Sequence, residues 1–176
     1  MPNWCNNSIT ITGDYDTLVQ LKPVVEAGEG LLQAICPMPK ELEGTTAPSD
    51  EPNWYDWCNA NWGTKWDPEV HLEFIDNKDG TATIQGWFDT AWAPPLEAFQ
   101  SLAQDWDSCY IELFYEEGGM CFVGCWDSEG ADDYYEYSDA TSKTISDIVP
   151  KYLVDQFALD ERLSEYEQEE EESADA

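Results

Sequence analysis

The chain has 176 residues, with 38 Asp and Glu against 7 Lys and Arg, for a formal net charge of −31 at pH 7. A surface of that sign repels nucleic acid and anionic membranes, and it attracts cations and basic proteins. With 42% hydrophobic residues and 14% aromatic, including nine Trp, the chain carries too much apolar side chain for a disordered acidic protein, so one folded domain with an acidic tail is expected.

Residues 8–12 alternate Ser8, Thr10 and Thr12 with Ile9 and Ile11, which predicts a strand closed by Gly13. Asp14 or Asp16 caps the next segment. There Leu18, Leu21, Val24 and Val25 predict a helix over 15–27, kinked or shortened at Pro23 and ended by Gly28 and Gly30. Residues 31–61 read as irregular, with an extended turn at Cys36-Pro37-Met38-Pro39 and a small-residue loop over 45–52. Trp54, Trp57 and Trp62 either stack as an exposed aromatic face or, the commoner outcome, pack as core beneath a loop. Val70, Leu72 and Phe74 alternate with His71, Glu73 and Ile75. The turn Asn77-Lys78-Asp79-Gly80 and renewed alternation over 81–88 then complete a β-hairpin.

Pro94 and Pro95 introduce a second helix whose apolar face is Leu96, Phe99, Leu102, Ala103 and Trp106. Residues 110–115 read as a strand, Gly118-Gly119 as the turn into a partner strand at 120–126, and 133–137 as a further short strand. Ile145, Ile148, Val149, Tyr152, Leu153, Phe157 and Leu159 predict a C-terminal helix interrupted at Pro150. From Asp160 onward the chain is almost wholly acidic, and a like-charge run of this kind is expected to stay solvated and mobile.

This order predicts the α+β class: a ferredoxin-like antiparallel sheet (βαββαβ) with helices on one face, plus an extra β-hairpin and a C-terminal helix. The expected organisation is a ferredoxin-like domain over 1–139 with a Trp-rich insert at 37–67, a helical extension over 140–160 and an acidic tail over 161–176. The N-terminus has no basic start followed by an apolar core, and no apolar run approaches about 18 residues. A cytoplasmic protein is therefore expected, with cysteines 5, 36, 58, 109, 121 and 125 as reduced, buried thiols.

Chemistry-bearing motifs are scarce. There is no phosphate-binding glycine loop, His71 is the single histidine, and carboxylates are too frequent for any pair to mark acid–base catalysis. No catalytic residue, metal or cofactor is expected, and the chain reads as non-enzymatic. Two places stand out. The string Trp62-Gly-Thr-Lys-Trp-Asp67 puts Lys65 between two indoles. Trp62, Lys65, Trp66, Asp67, Asp89 and Trp92, with Trp87 and Thr90, would then form a pocket. The blander alternative is a packing cluster with Lys65 paired to an aspartate. The second place is an acidic array. No Lys or Arg occurs between Lys78 and Lys143, and Glu112, Glu116, Asp132, Asp133, Glu136 and Asp139 interleave with Tyr134 and Tyr135. Tyrosines among carboxylates suit a protein interface, or equally an edge strand with alternating buried rings.

Met1-Pro-Asn-Trp-Cys5, Pro37-Met-Pro39, Trp62-Gly-Thr-Lys-Trp-Asp67, Phe88-Asp-Thr-Ala-Trp-Ala-Pro-Pro95 and Tyr115-Glu-Glu-Gly-Gly-Met-Cys-Phe-Val-Gly124 occur in this order. Together they resemble the Api92-like, or YubB, ferredoxin-like family carried by phages and plasmids, over roughly residues 1–130. The resemblance implies the same fold and a mobile-element origin. A body of this length is roughly 40 Å across, a span over which duplex DNA carries roughly 24 charges. The expected function is therefore a phage or plasmid protein that binds a basic host protein, a nucleic-acid-processing or defence protein, by mimicking DNA or RNA charge. It would bind no nucleic acid and no membrane itself. The alternative is a small-ligand or peptide binding module built on the pocket around Lys65.

Overall fold

A computed structural model describes residues 3–174 and builds its sheet around the strand with the cleanest alternation. That strand, β1 (Trp4–Asp14), pairs antiparallel on one side with β3 (Thr81–Ala91) and on the other with β4 (Tyr110–Glu117). Outside β3 lies β2 (Val70–Asp76), and outside β4 lie β5 (Phe122–Asp127) and then β6 (Asp132–Glu136). The order β2-β3-β1-β4 is the ferredoxin-like arrangement, and β5 and β6 extend it to six strands.

One face of the sheet carries Ile9, Ile11, Ala82, Ile84, Phe88, Ile111 and Leu113, and it is covered by the helices that connect the strands. The first connection is broken rather than continuous: α1 (Tyr15–Leu18), a 3-10 turn at Val19–Leu21, then α2 (Lys22–Ala27). Pro23 has no N–H to give to residue 19, so the chain tightens before it and restarts around it. Leu18, Leu21, Phe99 and Leu102 from these segments and from α5 (Leu96–Asp105) fill the core. Each such buried side chain contributes roughly 1.5–3 kcal/mol. Gly124 is required by close approach, because a Cβ there would run into the Tyr115 ring lying across it.

Residues 31–61 are not irregular, as their composition predicts, but contain α3 (Leu31–Ile35), a 3-10 turn at Lys40–Leu42 and α4 (Trp54–Asn61). Asn53 caps α4, its Oδ1 accepting from the Asp56 N–H at 3.0 Å while its Nδ2 donates to the Asp56 carboxylate at 2.7 Å. Leu32, Cys58, Trp62 and Ala98 form a separate small core beneath this insert.

The C-terminal helices α6 (Ile145–Ile148), α7 (Lys151–Phe157) and α8 (Leu159–Ala174) fold onto the other face of the sheet. There Ile145, Val149, Leu153, Val154 and Leu159 pack on Val123 and Cys125. They cover the β4–β6 half and leave the β1–β3 half open. The acidic run expected to be mobile is thus helical as far as Ala174; Met1, Pro2 and the last two residues of the expected tail lie outside the described residues. Besides the packing of Leu159 and Leu163, two polar contacts hold it. The Ser142 N–H and hydroxyl both donate to Glu167 at 2.8 Å. Arg162, the only arginine of the chain, reaches Glu116 at 2.8 Å.

Glu116 is completely buried and also accepts hydrogen bonds from the Tyr137 hydroxyl and from Asn6. Replacing Arg162 with Ala leaves that carboxylate without its cation. A cost of about 2–3 kcal/mol is expected, toward the low end for a broken buried pair because Arg162 is itself half-exposed. Urea unfolding measures the loss, and hydrogen exchange should rise most in α8.

Candidate functional site

Strand alternation sorts the open half of the second face. Trp4, Asn6 and Ser8 point away from the core side of β1, and their partners Ala91, Asp89 and Trp87 on β3 share that face. His71 lies opposite Trp87 on β2, and its ring stacks on the indole at 4.1 Å between centroids. Asp89, Asn6 and Glu116 therefore form one row across β3, β1 and β4. Trp4, Trp66, Trp87 and Trp92 are 50%, 41%, 52% and 47% exposed, which leaves large apolar surface in water at one end of the sheet.

The loop after α4 brings Trp66 to this face. Thr64 donates its hydroxyl to the Ala91 carbonyl at 3.0 Å, and the Trp62 indole N–H donates to the Cys36 carbonyl at 2.8 Å. Asp67 accepts from the Leu32 and Gln33 N–H groups at 3.0 and 2.8 Å, so its carboxylate caps α3. Trp92 has a left-handed backbone, φ 72°, which costs a non-glycine residue about 1–2 kcal/mol. Its N–H donates to the Asn3 carbonyl, and Thr90 donates to the Ala93 carbonyl beside it. Strain of this kind, held by neighbouring hydrogen bonds, turns the Trp92 indole outward at the end of β3.

Two cavities meet at Trp4. One, of about 310 Å³, is lined by Trp4, Trp66, His71, Trp87, Asp89 and Thr90. The other, of about 750 Å³, runs between the start of β1 and α8, past Asn6, Arg162, Tyr166 and Glu169. Together they make a trough with an aromatic floor at one end and an acidic helix along the other.

Among the pocket residues read from sequence, Trp66, Asp67 and Asp89 come together, but Trp62 is buried in the small core beneath the insert. Lys65 does not pair with Asp67 or Asp89. Its ammonium sits over the rings of Trp66 and Tyr55, at 4.2 and 5.5 Å from their centroids. Among the residues of the acidic array, Asp132, Tyr134, Glu136 and Asp139 are exposed, and Glu112 is half-buried. Glu116 cannot meet a partner, because it is sealed under α8 by Arg162 and Tyr137. Asp133 accepts from the Tyr152 hydroxyl at 2.6 Å, and Tyr135 packs into the second core. The sequence reading missed Trp4. Its position on the polar parity of β1, with Asn6 and Ser8, was the available signal.

A family model described as the ferredoxin-like domain in Api92-like protein matches residues 61–174. The match reaches through α8, so the C-terminal helices lie within the family's domain, beyond the span of the shared strings. Among solved structures, a crystal structure of a protein api92 from Yersinia pseudotuberculosis is similar at 20% identity and a TM-score of 0.39. That similarity covers 61% of this chain and 39% of the other. None of the curated proteins matches.

Asp89 accepts no hydrogen bond among the described residues, and its Oδ1 is shut off from solvent without a partner. Burial pushes its carboxyl above the usual range, and His71 pulls it partly back. Asp67 and Glu69 line the same cavity. The folded chain thus holds the Asp89 proton more tightly than the unfolded chain. Stability from this group is full below the ordinary carboxylate range and is lost as pH rises through the raised value. Asp89→Asn should therefore stabilise the fold at neutral pH, by less than about 1 kcal/mol because water screens the open side of this partly buried residue. The gain should vanish near about pH 3, where both states are protonated. Urea midpoints at the two pH values check it.

Proposed function

The chain belongs to the family of Api92-like proteins through its ferredoxin-like domain, and we propose that it is a non-enzymatic binding protein whose partner is a basic protein. The observation that carries this reading is the trough, in which half-exposed Trp4, Trp66 and Trp87 lie among carboxylates. Among the described residues its cationic side chain is Arg162, already paired with Glu116. Aromatic rings give contact area at small entropic cost, and the carboxylates select for positive charge.

The partner in this reading is a host protein built to hold nucleic acid, of the kind that processes DNA or RNA or defends against phages and plasmids. Carboxylates of β6 and α8 stand in for phosphates: Asp132, Glu136, Asp139, Asp160, Glu161, Glu165 and Glu169 are all exposed. A field of one sign steers such a partner and raises its association rate, with strong dependence on salt. A mobile-element origin accords with this role, as antagonists of host nucleic-acid enzymes are useful to such elements. No helix among the described residues is long and apolar enough to cross a membrane.

The test is capture of host proteins on the immobilised chain, followed by displacement with duplex DNA over a range of salt. Captured proteins should be basic, be released by DNA, and lose affinity steeply between about 50 and 200 mM salt, by tenfold or more. Replacing Asp132, Glu136, Glu161 and Glu165 with Lys should abolish capture. Retention indifferent to salt, or an undiminished charge-reversed variant, overturns the reading.

A further inference from the structure

We propose that the cavity between Trp4, Trp66 and Trp87 receives the guanidinium group of an arginine side chain, which Asp89 holds as its counter-ion. The inference rests on the reading that the partner is a basic protein, and it names the group by which that partner is anchored.

The cavity contains an acceptor with nothing to accept. Of its carboxylates, Asp67 spends both oxygens on the α3 backbone. Glu69 is exposed at the rim. Asp89 receives no donor from any described residue, and one of its oxygens is buried as well. A carboxylate with one oxygen shut off from water and no donor on either is unfavourable until a donor arrives at the open oxygen, and a cationic donor relieves it most. Among the described residues no Lys or Arg lines the cavity; the Lys65 ammonium lies over Trp66 and does not pair with Asp89, and His71 is spent stacking on Trp87.

The walls favour guanidinium over ammonium. Trp87 is backed by the His71 ring at 4.1 Å, which fixes its plane while its indole remains half-exposed. Trp4 and Trp66 stand around it. A planar, weakly hydrated guanidinium stacks on such a face and at the same time directs parallel N–H groups at a carboxylate. A compact, strongly hydrated ammonium does neither as well. At about 310 Å³ the cavity is at the lower bound for small-molecule sites. It suits one side chain with its methylene stem rather than a larger ligand. The outer part of the trough, toward Tyr166 and Glu169, is then left for the residues that flank the arginine.

The test titrates the full chain with N-acetyl-arginine methylamide while the indole N–H resonances are followed by NMR. The lysine compound and the neutral citrulline compound serve as comparisons. Saturable shifts of the Trp87 and Trp66 indoles with a dissociation constant of about 1 mM are expected. The citrulline and lysine compounds should bind at least tenfold and severalfold more weakly. Asp89→Asn, nearly isosteric, should weaken arginine binding at least tenfold while its circular dichroism and urea midpoint show an intact fold. Trp87→Ala gives a second readout that leaves the carboxylate in place, and a severalfold loss is expected. Equal binding of citrulline or lysine, or undiminished binding by Asp89→Asn, overturns the proposal. Salt-sensitive capture of basic proteins without arginine shifts removes this pocket alone. Arginine shifts without such capture remove the functional reading and leave the pocket standing.

Discussion

Glu116 sets the terms for the rest of the molecule. It is a carboxylate with no exposed surface, in a chain of net charge −31, and a single arginine neutralises it. Between Asp160 and Glu172 the chain carries eight acids and one base, so bringing that segment against an acidic sheet is opposed by repulsion. A unit pair about 4 Å apart near a protein surface interacts by about 4 kcal/mol, and the attraction between Arg162 and Glu116 works against that repulsion. The Tyr137 hydroxyl and Asn6 amide complete the shell, so the buried charge is satisfied from β1, β6's end and α8 together. Without this contact only the packing of Leu159 and Leu163 and the Ser142–Glu167 hydrogen bonds would hold α8 over Val123 and Cys125.

The two halves of the second sheet face follow from where that cover stops. On the β4–β6 side, aliphatic residues meet α6, α7 and α8 and become core. On the β1–β3 side no helix arrives among the described residues, only the loop carrying Trp66, and the same alternation that buries Ile9 and Phe88 turns Trp4, Trp87, His71 and Asp89 outward. Aromatic rings in water and a carboxylate without a donor are both unfavourable in the isolated chain. Their coincidence in one place, beside a strained Trp92, distinguishes this end of the sheet from the evenly solvated surface that the net charge alone describes.

The strands were legible because a period of two is written plainly in residues 8–12, 70–75 and 81–88. Pro23 and Pro150 likewise marked the breaks that the helices show. The helices α3 and α4 were hidden, since Gly, Pro and Trp in the insert mask a helical period. Asn53 and Asp56 were the one cap signal available for α4. Glu116 was unreadable for a different reason. Strand parity puts it with Glu112 on a face that looks solvated, and only a helix more than forty residues later in the chain turns that position into interior. For the same reason the sequence could name tryptophans but could not sort Trp62, which is buried, from Trp66, which is not.

The sheet is open at both ends, with β2 on one margin and β6 on the other. An unpaired strand is a template for addition of another chain, the first step toward fibrils and precipitates. Here one margin carries Glu73 and Asp76 and the other Asp132, Asp133 and Glu136. At the β2 margin Lys78 already pairs with Asp76, but two copies approaching through their β6 margins would set Asp132 and Glu136 against each other, so that margin resists self-addition. That acidity thereby acts as a gatekeeper, opposing edge-to-edge association of an aromatic-rich chain with exposed indoles.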